Sequence, residues 1–240
     1  MNKRYWWIVI TYILIHLSGI IGIPLLMGLG FTDINQMVAW WTIISFVIGL
    51  LIILLLLLPE RGSSPHPNMR VTSKGHATKW AIIGVFLAFI AQYIAILIET
   101  YALGIDPGSE NTQEILEIVR MMPFFAIIVA LIGPILEEIV FRKVIFGALY
   151  KRMNFFFSAL ISALIFAVVH LDFEHLLVYM AVGFVFSYLY VKTGRIIVPI
   201  LAHVAMNAYA VLMQVVLGDR LEDMQRQLEQ MQGFIGGLFL

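Results

Sequence analysis

Long apolar runs broken by short polar segments make up most of this chain, and the runs share a characteristic length. A helix needs ~20 consecutive apolar residues to cross the hydrocarbon core of a bilayer. Runs of that order fall at 5–29, 38–58, 80–103, 122–148, 155–173, 176–191 and 196–217. The pattern predicts an all-α fold, a polytopic transmembrane helical bundle of about seven spans, the last four forming a four-helix core. The first run follows Lys3 and Arg4 and resembles a signal peptide, but it is too long and lacks a small-x-small cleavage site, so it is read as a retained span. Gly133-Pro134 interrupts the fourth run; the proline frees a carbonyl one turn earlier and predicts a kink there.

The linker-like stretch from Glu60 to Lys79 divides the chain. Residues 1–79 are expected to form a peripheral pair of spans with a basic cytoplasmic linker, and 80–217 the membrane core, with its functional part at 122–217. Residues 218–240 form a tail in which Leu221, Met224, Leu228 and Met231 make one apolar helical stripe, as an interfacial helix does. No internal repeat is visible, which argues against an inverted-repeat transporter.

Composition sharpens this picture. Hydrophobic residues are 61% of the chain and charged residues 12%, against ~25% charged in soluble domains. With no cysteine, disulfides and thiolate chemistry are excluded. Net charge is zero and no basic tract occurs, so nucleic acid is not an expected partner; the lipid bilayer is. Loop charges alternate: Lys3 and Arg4, then Asp33, then Arg61, Arg70, Lys74 and Lys79, then the acidic loop with Asp106, Glu110, Glu114 and Glu117, then Arg142, Lys143, Lys151 and Arg152. The positive-inside rule then predicts a multi-pass protein of the cell membrane with a cytoplasmic N-terminus and an outer C-terminus.

Three polar constellations sit inside the apolar runs: Glu137-Glu138 with Arg142, Phe166 with His170, and His203 with Asn207. An ionisable group at membrane depth costs ~2.5–3.5 kcal/mol, so each must be paired, solvated or useful. Residues four apart share a helical face, so Glu138 is expected to pair with Arg142 as structural support, with Phe166 as packing. Glu137, pointing elsewhere, is left as a candidate general base. If His170 met Glu137, the two could hold one water between them, while His203 and Asn207 could donate to the oxygen of a tetrahedral intermediate. A single buried histidine or asparagine can simply bond across helices, but three such pairs on three helices point to one site. Glu137, His170 and His203 could alternatively ligate zinc. There is no HExxH helix, and Asn207 suits an oxyanion better than zinc, so no cofactor is expected.

The ordered set EExxxR, FxxxH and HxxxN resembles the CPBP family, the CAAX proteases and bacteriocin-processing enzymes also called the Abi family. The likeness covers about residues 122–217. It implies an intramembrane endopeptidase acting on membrane-bound peptide or protein substrates, some relatives being linked to bacteriocin immunity or peptide maturation. It also implies that Glu137 and His170 activate water while His203 and Asn207 form the oxyanion hole, without a metal. Lys143 departs from the pattern, since many members have glycine directly after the motif arginine. The competing readings are a proton- or ion-coupled transporter using Glu137 and His170 as a relay, and a non-catalytic immunity or scaffold protein.

Overall fold

The computed structural model of the protein describes residues 3–60, 66, 68–213, 215 and 220. Among the described residues all regular structure is helical, as expected. The apolar stripe of the tail, from Leu221 to Met231, lies outside the described residues.

Helices α1 (Lys3–Leu17) and α2 (Gly19–Gly28) follow one another through Ser18 and form the first crossing. Ser18 Oγ donates to the Ile15 carbonyl (2.7 Å) and accepts from Trp41 Nε1 (2.9 Å), tying the joint to the next helix, α3 (Ile34–Leu57). A Cβ at Gly22 would fall inside the Trp41 ring, so only glycine lets α2 approach α3 this closely. Helix α4 (Lys74–Leu103) starts at the Ser73 cap, whose oxygen accepts from the His76 N–H, and stops at Gly104 in the left-handed region (φ 69°). The short helix α5 (Glu110–Met121), in the loop expected to lie outside, is capped by Ser109. It buries Val119 against Ala39, Phe125, Ile128 and Val211 while Glu114 and Glu117 stay exposed.

Helix α6 runs over 125–150 and is not uniform. Its turns widen to π geometry at Ile128–Ile132, directly before Gly133 and Pro134, and again at Glu138–Phe146. The first widening is where Pro134, having no N–H, removes a backbone bond, so the predicted irregularity takes the form of a π-bulge. The second is supported from outside, because Ser162 Oγ donates to the Phe141 carbonyl (2.7 Å).

Helix α7 (Phe155–Val169) begins at the Asn154 cap and ends earlier than the predicted span 155–173. His170 closes it and Leu171 takes the left-handed conformation (φ 57°), which stops the helix. Fifteen residues rise ~22 Å against a hydrocarbon core of ~30 Å, so the helix falls short of a full crossing. Helices α8 (Leu176–Thr193) and α9 (Ile197–Met213) complete the bundle. Gly194 (φ 64°) turns between them, and a Cβ there would stand 2.6 Å from the Arg70 carbonyl. The segment around Arg70 to Thr72 is thus pressed onto the turn between α8 and α9, where Arg195 Nε donates to the Thr72 carbonyl (2.7 Å).

Among the described residues four stretches are long and apolar enough to cross a membrane outright: Lys3–Gly28, Ile34–Glu60, Lys74–Leu103 and Leu176–Thr193. Their outward residues, among them Leu14, Ile20, Ile21, Leu55, Phe86 and Ile90, form the exposed apolar belt that lipid would cover. The N-terminal pair, expected at the periphery, packs directly on α6: Ile8, Tyr12, Ile15 and Ile53 share one buried cluster with Leu136, Ile139, Val140, Phe141 and Phe166.

Candidate active site

The three constellations come from α6, the end of α7 and the middle of α9. Glu137 closes an α-helical turn and Glu138 opens the second π segment. A π-turn holds more residues than an α-turn, so each step rotates the chain by less and neighbouring side chains diverge less. Both carboxylates therefore reach the same imidazole. Glu138 Oε1 is 2.9 Å from His203 Nδ1, and Glu137 Oε2 is 3.7 Å from His203 Nε2. A carboxylate can only accept, so Nδ1 is the donor toward Glu138.

Glu138 and Arg142 are fully buried, with Glu138 Oε2 3.3 Å from Arg142 Nε. The contact is an ion pair without a well-aligned hydrogen bond. Aromatic faces complete the surroundings of the guanidinium: its carbon lies 4.2 Å from the Phe166 centroid and 5.3 Å from that of Phe186. Gly183 makes room for this, since a Cβ there would stand 3.1 Å from Arg142 Nη2. Phe166 is thus a platform, touching Phe141 edge-on (5.2 Å) and His170 (4.5 Å) as well.

His170 is held by a bond between its Nδ1 and the Phe166 carbonyl (2.7 Å), which makes Nδ1 the donor and leaves Nε2 as the nitrogen with a free lone pair. Among the described residues no hydrogen bond or ion pair joins His170 directly to Glu137; the ring at ion-pair distance from Glu137 is His203. Asn207 Nδ2 donates to the Val129 carbonyl (3.0 Å), which belongs to the first π segment. Phe186 stacks on His203 at 4.7 Å and 27°. Glu137, whose side chain is 17% exposed, is the more open of the two carboxylates. Among the described residues no group of three His, Asp or Glu side chains is placed to hold a metal ion.

Glu99 and His175 lie outside the three constellations. The structure buries them together, His175 Nδ1 lying 2.9 Å from Glu99 Oε2 and its Nε2 3.1 Å from the Gly108 carbonyl. Glu99 Oε1 also accepts from the backbone N–H groups of Leu177 and Val178, capping α8 from another helix. Burial alone would lower the His175 pKa, but the bonds to Glu99 and Gly108 and the charges of Asp172 and Glu99 outweigh it and raise it. Tyr179, one turn into α8, lies against His170 with centroids 4.2 Å apart. The one signal for this second network was a lone acid inside an apolar run, which is costly unless paired.

Residues 120–209, which contain every constellation residue, match the family model described as Type II CAAX prenyl endopeptidase Rce1-like. The chain is 46% identical over 250 aligned residues to YdiL of Bacillus subtilis strain 168, named as a membrane peptidase, with 100% of each chain covered. It is 31% identical over 235 residues to the membrane-embedded CAAX protease MroQ of Staphylococcus aureus strain USA300, covering 93% of this chain and 95% of that one. A weaker likeness, 27% over 133 residues, links it to the UPF0177 protein YxdF of Lactococcus lactis, covering 54% of this chain and 73% of that one. No solved structure gives a significant match.

Proposed function

Because the chain belongs to the Rce1-like CAAX protease family of membrane peptidases, we propose that it hydrolyses peptide bonds of membrane-bound substrates with a water activated by Glu137, without a resident metal. One observation carries the reading. Two adjacent carboxylates meet the two nitrogens of one imidazole, His203, and only Glu138 is also tied to an arginine. Glu138 is committed to architecture, and Glu137 is left to exchange a proton.

In this mechanism Glu137 takes a proton from the water as its oxygen attacks the scissile carbonyl carbon. His170 Nε2 accepts a hydrogen bond from the water's other O–H. The new oxyanion is met by the second N–H of Asn207, the first being used on Val129. It is also met by His203 Nε2–H when that ring carries both protons, with Glu138 accepting from Nδ1. Such donors are typically worth ~2.7–4 kcal/mol each. When the intermediate collapses, the C–N bond breaks and the leaving amine takes the proton from Glu137. Maturation of small membrane-bound peptides, or immunity to bacteriocins, are the settings such an activity would serve.

Comparative mass spectrometry of membranes from cells carrying the wild type or Glu137→Ala tests this reading. Peptides or precursors that accumulate only in the mutant are expected; indistinguishable profiles would contradict it. For the metal-free version, cleavage by the purified protein is expected to survive EDTA. Loss on chelation with recovery on adding zinc would overturn that version.

A further inference from the structure

His170 stands where its helix has just ended. Leu171, at φ 57°, turns the chain away, so no following helical turn packs beside the imidazole. The Nδ1 bond to the Phe166 carbonyl leaves the tilt of the ring to whatever covers its faces. Phe166 presents an edge at 66°, and Tyr179 lies beside the imidazole at 4.2 Å and 30°, with its own ring 6.5 Å from that of Phe166. Tyr179 is itself fastened at its far end. Its hydroxyl donates to Asp172 Oδ2 (3.3 Å), and Asn111 Nδ2 approaches the same hydroxyl at 3.5 Å. Asp172 Oδ2 in turn accepts from Ser109 Oγ at 2.6 Å, the residue that caps α5. The phenol therefore spans from the outer loop to the imidazole, with one end bonded and the other against the ring.

From this arrangement we propose that Tyr179 is a positioning residue: its ring, aimed by Asp172 and Ser109, fixes the orientation of His170 and so the direction of the Nε2 lone pair. The proposal rests on the reading of His170 as part of the hydrolytic centre. It adds that the outer loop, rather than α7 alone, sets where that nitrogen points. Tyr179 itself touches no reacting atom. A misplacement of 1 Å in such a centre can cost ~100-fold in rate.

The test uses the full-length protein in proteoliposomes, with two readouts. The first is the imidazole nitrogen spectrum of His170 after ¹⁵N-histidine labelling, assigned by its loss in His170→Gln; it needs no substrate. The wild type is expected to give a single narrow Nδ1-protonated signal; Tyr179→Phe, which keeps the ring but loses its bond to Asp172, a partly broadened one; and Tyr179→Leu, in which the imidazole tilts about its retained bond to Phe166, a signal broadened further. The second is cleavage of the peptide whose processing is lost in Glu137→Ala. Tyr179→Leu is expected to lower kcat ~100-fold with KM within about twofold, and Tyr179→Phe to recover the rate to within ~10-fold of wild type. An unchanged His170 signal in Tyr179→Leu, or a loss confined to KM, would overturn the positioning role. A proteolytic reading that failed would instead show as no Glu137-dependent peptide, with the spectral result still deciding Tyr179.

Discussion

Glu137 and Glu138 differ by one position in the chain and by their whole electrostatic surroundings. The four-residue spacing made the contact between Glu138 and Arg142 legible, because such residues stack on one helical face. What spacing did not convey is that both carboxylates share His203. That contact depends on the π-widened turns, whose reduced rotation an α-helical wheel does not contain. Arg142 and Glu138 are buried without exposure, so removing one partner leaves an uncompensated charge. Glu138→Ala is therefore expected to destabilise the fold by ~3–5 kcal/mol, read as a lower folded yield and a lower Tm in detergent. A stable Glu138→Ala protein would assign Arg142 a different partner.

At the scale of elements, the ends of helices do more than their apolar faces reveal. The run 155–173 reads as continuously spanning, yet the helix stops at Val169, where Leu171 takes a left-handed conformation that the local propensity of leucine does not predict. The polar residues beyond it belong to a clamp in which Glu99 and His175 hold the start of α8. The folded-state pKa of His175 is raised, so its stabilising contribution is complete below the unfolded value of about 6.5 and fades as pH rises through the folded value. Thermal stability is accordingly expected to fall as pH increases above that range, and His175→Gln to flatten this dependence; a pH profile unaltered by His175→Gln would remove the clamp from the account. Lys143, which departs from the motif pattern, has a partner of its own: its Nζ lies 2.9 Å from Glu60 Oε2, and Tyr5 donates to the same oxygen at 3.3 Å. It thus fastens the site helix to α1 and to the end of α3.

For the molecule as a whole, run lengths were enough to give a helical membrane bundle, because lipid leaves the backbone few alternatives. They did not say how the first two spans attach. Hydropathy reports that a helix is lipid-compatible but not which face meets protein, and here Tyr12 lies edge-on to Phe141 at 5.5 Å, inside the cluster that packs α6. The loop charges predict an orientation, and the chain's lack of cysteine offers a direct check of it. A single cysteine at Thr112 is expected to react with a membrane-impermeant maleimide on intact cells, and one at Lys151 only after lysis. The opposite pattern would invert the topology.

Activation of the hydrolytic water by the Glu137 carboxylate is decided by the cleavage rate of purified Glu137→Gln in proteoliposomes beside the wild type, with Tm recorded for both. A loss of at least ~10³-fold is expected, as when a general base is removed from an assembled site, with Tm within a few degrees of wild type. Cleavage by Glu137→Gln at a rate near that of the wild type would contradict it.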